Sequence, residues 1–240
     1  MGKPYVIRVG SQSGGVGKTA VCVNLALALS MLGKKVLLID GDYINPSVGF
    51  YLDIEDVKAG MSDLLERKKG LKDVAVKYDN TELYVVPGIL SVTIKVKRSD
   101  LKQVPLRLDE AAGFDFVVID TPTGLYDNIT MRIFDDGLIV STPTMRSMRM
   151  AFELSAIYSK AKLNKSLVLN RVTNRKGEIP VREIEDAFGA RALAVLPDDP
   201  IVYESEVRQI PALKLNRNSP FSKSMLELAR IYIGKSTNKG

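Results

Sequence analysis

The chain has 240 residues, with 34 Lys+Arg against 28 Asp+Glu for a net charge of +6 and 45% hydrophobic residues, a balance that excludes intrinsic disorder and suits one large domain. Histidine is absent and Cys22 is the single cysteine, which excludes His-based triads, His-ligated metals, an internal disulfide and a cysteine-ligated zinc or iron–sulfur centre within one chain. No apolar run reaches the roughly 18 residues of a membrane span, and Met1 to Arg8 lack the apolar core of a signal sequence, so the expected compartment is the cytoplasm.

Short β-branched runs alternate with longer amphipathic or apolar segments, the sequence form of a mostly parallel sheet with helices on both faces. A first strand, Tyr5 to Val9, runs into the glycine-rich SQSGGVGKT, and Lys18 to Leu32 then reads as a helix closed by Gly33. VLLID, Val36 to Asp40, is apolar until its last residue, as in a central strand buried on both faces. A helix over Met61 to Lys69, a strand over Leu83 to Pro87 and a helix over Ser99 to Ala112 follow. Strands are then expected at Phe116 to Asp120, Gly137 to Thr142, Ser166 to Asn170 and Ala192 to Pro197, with helices at Ser147 to Ala161, Val181 to Phe188 and Pro220 to Ile233. Residues 1–234 read as a single domain and 235–240 as a flexible tail.

In an open parallel sheet ligands bind beyond the carboxyl ends of the strands. The glycine loop, Asp40, Asp120, Asn170 and Pro197 all fall at such ends. In GGVGKT the backbone of Gly14, Gly15, Val16 and Gly17 can fold around phosphate oxygens, while the first-turn residues Lys18, Thr19 and Ala20 open a helix whose positive end faces the same anion. Lys18 would bridge β- and γ-phosphates and Thr19 would offer its hydroxyl to Mg²⁺. Gln12 stands where the strict G-x-x-x-x-G-K-[ST] pattern has its first glycine; a positive φ there would store roughly 1–3 kcal/mol of strain.

IDGDYINPS, Ile39 to Ser47, sets two carboxylates two residues apart just past a buried strand, with Asp40 on the metal side and Asp42 on an attacking water; alone it would sooner read as an Asp-rich turn, but beside a phosphate loop it does not. VVIDTPTG, Val117 to Gly124, ends an apolar strand in Asp120, the arrangement that holds Mg²⁺, and Gly124 would present a backbone N–H to the γ-phosphate. In LNRVTN, Leu169 to Asn174, the strand-end Asn170 can pair with a purine edge and Arg171 can stack on it. Thr173 replaces the acid that guanine-specific NKxD loops carry, which favours adenine. LPDD follows at Leu196 to Asp199.

Taken in this order, GGVGKT, IDGDYINPS, IDTPTG and LNR with LPDD resemble the MinD/ParA family of deviant-Walker P-loop ATPases, closest in layout to archaeal MinD-like proteins, over about Tyr5 to Ile233. The resemblance implies a Rossmann-like α/β P-loop NTPase fold, binding of Mg²⁺ with ATP or ADP, slow ATP hydrolysis and an ATP-dependent homodimer that regulates a protein partner. It implies Lys18, Asp42 and Asp120 as catalytic, Thr19, Asp40 and Asp120 on the metal, switch II over Asp120 to Gly124, and Asn170, Arg171, Pro197 and Asp198 around adenine.

Two positions depart from the family. Ser13 replaces the lysine that normally precedes the glycine pair and reaches the partner subunit's phosphates, which removes a charge from the transition state and admits a second reading, a scaffold that binds ATP without cleaving it. After the strand at Gly137 to Thr142, Thr144 stands where an acid is usual, and Arg146 is available for a contact across a dimer. Basic groups at Arg67 to Lys72, Lys95 to Lys102 and Lys160 to Lys165 admit a third reading, sequence-independent DNA binding, against that of solvated helix faces. FSKSMLELARIYI, Phe221 to Ile233, has the spacing of a packing helix with only GKSTNKG after it, so no membrane-targeting helix is expected.

Overall fold

The computed structural model describes residues 2–42, 45–54, 57, 59–66, 68–88, 108–123 and 130–238. The strands β1 (Tyr5–Gly10), β2 (Val36–Asp40), β3 (Val76–Lys77), β4 (Leu83–Val86), β5 (Phe116–Asp120), β6 (Asp136–Ser141), β7 (Lys165–Val172) and β8 (Ala194–Pro197) form one sheet in the order β3-β4-β2-β5-β1-β6-β7-β8. Its pairs are parallel except β3 with β4, so this is the mostly parallel α/β P-loop fold that the sequence implies. The helices are α1 (Lys18–Met31), α2 (Val48–Tyr51), α3 (Met61–Leu65), α4 (Leu71–Val74), α5 (Met145–Lys160), α6 (Val181–Phe188), α7 (Pro200–Arg208), α8 (Ala212–Leu215) and α9 (Pro220–Thr237).

β1, β2, β5 and β6 are buried at every position because helices cover both faces, which is why they read as unbroken apolar runs. Successive side chains of a strand leave on opposite faces. Ile7 and Val9 therefore join a core with Leu25 and Leu29 of α1 and Leu228 of α9, whereas Val6 joins Leu64 of α3 and Leu71 of α4. A third cluster fills the space beneath α5 and α6, with Tyr158, Ile184 and Phe188 over Ile139 and Leu167. Helix α1 is buried without a break from Ala20 to Ser30, enclosed by the sheet and α9. Its one amide, Asn24, is satisfied by giving a hydrogen bond to the Ala20 carbonyl at 2.9 Å and accepting one from the Leu213 N–H at 3.0 Å, which locks α8 to it.

Several expected boundaries move for local reasons. The helix begun at Met61 ends at Leu65 rather than Lys69, where the Lys68 N–H bonds back to the Asp63 carbonyl at 3.0 Å in place of the next helical turn. The helix expected over Ser99 to Ala112 falls largely outside the described residues; Leu108–Ala111 is a 3₁₀ turn. β3 contains two residues, too few to show alternation in sequence. α7 and α8 were not expected, although the Asp199 N-cap and Pro200 at the first helical position are a recognisable start signal. Among the described residues no helix is long and apolar enough to cross a membrane.

The last helix continues through Thr237, so Lys235 to Thr237 are helical and not part of a loose tail. The cause is Asp136, fully buried at the start of β6: its carboxylate accepts hydrogen bonds from Lys235 Nζ at 2.6 Å and Ser166 Oγ at 2.8 Å. An unpaired buried charge is far costlier than a paired one. Lys235→Met is therefore expected to lower stability by about 2 kcal/mol in urea denaturation, and Asp136→Asn in the same chain to restore part of it.

Candidate functional site

β5 and β6 lie on either side of β1, so the chain leaving β1 enters the crevice where the strand order reverses, the usual ligand position in such sheets. The loop from Ser11 to Gly17 is shaped by two residues in the left-handed region, Gly15 at φ 75° and Gly17 at φ 82°. Gln12 is not among the residues with positive φ, so the missing first glycine carries no such strain. Instead Ser11 organises this end: its Oγ gives a hydrogen bond to the Ser13 carbonyl at 2.9 Å and accepts one from the Ser13 N–H at 3.0 Å. At Gly17 a side chain would collide with the Asn170 amide. α1 starts without a side-chain cap and without an acid in its first turn, leaving its initial N–H groups and their positive potential for an anion.

Asp120 ends β5 with no exposed surface and is the centre of the site. One oxygen pairs with Lys18 Nζ, and the other accepts from Thr19 Oγ1 at 2.7 Å, which itself lies 3.0 Å from Ser47 Oγ. Burial pushes the Asp120 carboxyl upward and the Lys18 ammonium pulls it back only in part. Burial opposes the charge on Lys18, but Asp120 outweighs it and raises the ammonium's pKa.

Asp40 stands beside Asp120 in register across β2 and β5 and is equally buried. Its two oxygens accept from three backbone N–H groups, Asp42 at 3.1 Å, Ser47 at 2.9 Å and Val48 at 3.0 Å. Asp40 thus fixes Ser47 and the start of α2 through their backbone N–H groups, and the Ser47 hydroxyl meets Thr19. A side chain at Gly41 would press on the Asp120 carbonyl at 2.7 Å, so only glycine lets the chain leave β2 there. Asp42 is half-buried, and its Oδ1 accepts from the Asn45 N–H at 3.0 Å. Gly124, expected to sense a γ-phosphate, lies outside the described residues, as does the basic run Lys95 to Lys102.

Asn170, Arg171, Pro197 and Asp198, the residues expected around adenine, line one cleft of about 230 Å³. Asn170 Nδ2 donates to the Val16 carbonyl at 2.8 Å, tying this cleft to the glycine loop and leaving its second amide hydrogen and its oxygen. Arg171 is exposed at φ 56°. Thr173 turns to Glu178, which takes its N–H at 3.1 Å and its Oγ1 at 2.5 Å, so it contributes no acid to the cleft. The sequence reading missed the far wall, Val202, Tyr203 and Glu206 of α7; Tyr203 is 74% exposed. Asp199, also on the cleft, caps α7 through the Ile201 N–H at 3.1 Å and α9 through the Phe221 N–H at 3.1 Å. Thr144 caps α5 by accepting from Ser147, and Arg146 is exposed on its first turn.

Burial, then the field of Asp120, raises the Asp40 carboxyl to about 7, against its three N–H donors. In the unfolded chain it ionises near the ordinary range of about 4, so between roughly pH 4 and 7 the folded state holds a proton that the unfolded state has lost. Stability is therefore fully present at the acid end and falls as pH rises through this window. Urea midpoints should drop more steeply from pH 4 to 7 in the unaltered chain than in Asp40→Asn.

The sequence profile of the AAA domain matches residues 5–169. An uncharacterized ATP-binding protein of Methanocaldococcus jannaschii is 36% identical over 234 residues, covering 95% of this chain and 88% of its own. The septum site-determining protein MinD of Thermotoga maritima is 30% identical over 239 residues, covering 94% and 86%. Among solved structures, MinD of Pyrococcus horikoshii in complex with Mg-ADP superposes with a TM-score of 0.85 at 27% identity over 99% of both chains. With a phosphate-type loop closed on a buried strand-end carboxylate, and relatives matched over nearly its whole length, the chain belongs to the MinD/ParA family of ATP-binding P-loop proteins.

Proposed function

We propose that this chain binds Mg·ATP at the Ser11–Ala20 loop and acts as a nucleotide-dependent switch, hydrolysing ATP slowly and dimerising to position a protein partner. The observation that carries the reading is the meeting of Lys18, Thr19, Ser47 and Asp120 at the uncapped start of α1. The Pyrococcus relative's complex with Mg-ADP supports it.

The donor set fits a magnesium ion. Thr19 Oγ1, Asp120 Oδ2 and Ser47 Oγ are hard oxygens, and the first lies within hydrogen-bond reach of each of the other two. Among the described residues no group of three or more His, Cys, Asp or Glu gathers, as suits an ion that takes its remaining ligands from phosphate and water. When bound, the ion would neutralise charge on the β- and γ-phosphates. Thr19 and Asp120 would hold it, with Asp40 behind them fixing Ser47 through the backbone. Lys18 would exchange Asp120 for the phosphates, a charge-assisted contact worth about 1.5–3 kcal/mol. The N–H groups of Gly14 to Ala20 would take the phosphate oxygens, and Asp42, two residues beyond Asp40, would orient water. Asn170, Arg171, Pro197 and Asp198 would receive adenine.

Ser13 favours a second reading on a specific ground: a serine offers no charge to a facing subunit, as a scaffold that keeps ATP intact would have it. DNA association remains a third proposal, resting on the +6 charge.

Phosphate release and ATP affinity in Mg²⁺ separate the readings. The switch reading expects release by the unaltered chain above both Lys18→Ala and Asp42→Ala, with ATP binding weakened about 10- to 100-fold in Lys18→Ala. Equal background rates in all three, with tight ATP binding and a rise of about tenfold or more on Ser13→Lys, would instead favour the scaffold. Retention on DNA that needs ATP and collapses between low and moderate salt would favour the third.

A further inference from the structure

The two ends of the nucleotide site are joined by a contact outside the glycine loop. Tyr51, the last residue of α2, is only 6% exposed, and its hydroxyl lies 3.0 Å from Ser205 Oγ on α7, which is fully buried. Ser205 has one hydroxyl hydrogen and gives it to the Val202 carbonyl at 2.8 Å, so Tyr51 must be the donor in the bond between them. α2 begins at Val48, whose N–H is held by Asp40, directly after Ser47, which meets Thr19. α7 supplies Val202, Tyr203 and Glu206 to the base cleft. Burial raises the Tyr51 hydroxyl's pKa, its bond to Ser205 offsets part of that, and the charges of Glu206 and Arg171, both on the cleft, act on it with opposite sign.

A continuous set of bonds thus runs from Asp120 through Thr19, Ser47, α2, Tyr51 and Ser205 to the wall of the base cleft. Resting on the reading of this site as a nucleotide site, we infer that Tyr51 is a positioning residue that couples base occupancy to the phosphate side, so that adenine and triphosphate are each held more firmly when the other is in place. Two sites coupled this way share one interaction free energy, and removing the link abolishes the excess without touching either half alone.

The test measures three ligands, ATP, adenosine and inorganic tripolyphosphate, each with Mg²⁺, by calorimetry or competition on the unaltered chain, Tyr51→Phe, Ser205→Ala and the double variant. Tyr51→Phe keeps the ring in its core and removes only the hydroxyl. The inference expects adenosine and tripolyphosphate to bind all four chains alike, and ATP to bind each variant about fivefold more weakly, with the double variant no worse than either single one. ATP affinity unchanged in Tyr51→Phe overturns the inference. So does adenosine weakening as much as ATP, because the contact would then only shape the base cleft, and so does tripolyphosphate weakening as much as ATP, because it would then only brace the loop. In those cases the nucleotide reading stands. Failure of the unaltered chain to bind ATP overturns both.

Discussion

A carboxylate with no exposed surface must be answered by donors, and Asp120 takes its two side-chain donors from the first turn of one helix. Leaving such a charge unpaired in the interior would cost several kcal/mol. Lys18 and Thr19 can reach it only if α1 starts directly above the ends of β1 and β5, and α1 can start there only if the preceding loop turns sharply at Gly15 and Gly17. The position of the anion-accepting N–H groups is therefore a consequence of where the buried carboxylate lies. α1 has no freedom to drift from this place, being enclosed along its length by the sheet and α9.

Asp40 repeats the principle with a different set of donors. It takes backbone N–H groups from Asp42, Ser47 and Val48, so its charge is spent on folding a loop and starting α2. Two buried acids in register on neighbouring strands would repel each other if both were ionised, and the result is one acid paired with a cation and the other pushed toward its neutral form.

The elements readable from sequence were those whose environment is uniform. β2 and β5 are buried on both faces and end in an acid, and α6 has a strict apolar stripe and a terminal glycine in the left-handed region, so their limits coincide with the structure. α7 has only Ser205 fully buried and offers little periodicity, although its capping acid and proline stand in plain view. The end of α9 is not legible locally, because its last turn is anchored through Lys235 on Asp136, about a hundred residues earlier in the chain. Asn170, Arg171, Pro197 and Asp198 were legible near the carboxyl ends of β7 and β8; the cleft wall that faces them was not, since it belongs to α7.

From the chain alone followed the seven longer strands, the helices α1, α5, α6 and α9, the glycine loop, and the acids that end β2 and β5 with the amide of Asn170 near the end of β7, because periodicity and strand-end chemistry are local. Tertiary structure alone decided which of the two acids pairs with Lys18, that Asn170 spends one hydrogen on Val16, that Ser47 meets Thr19, and that Tyr51 meets Ser205. Each of these joins residues from 28 to 154 positions apart, and a hydrogen bond's partner at that separation is set by how strands order themselves in the sheet and how helices bury their faces.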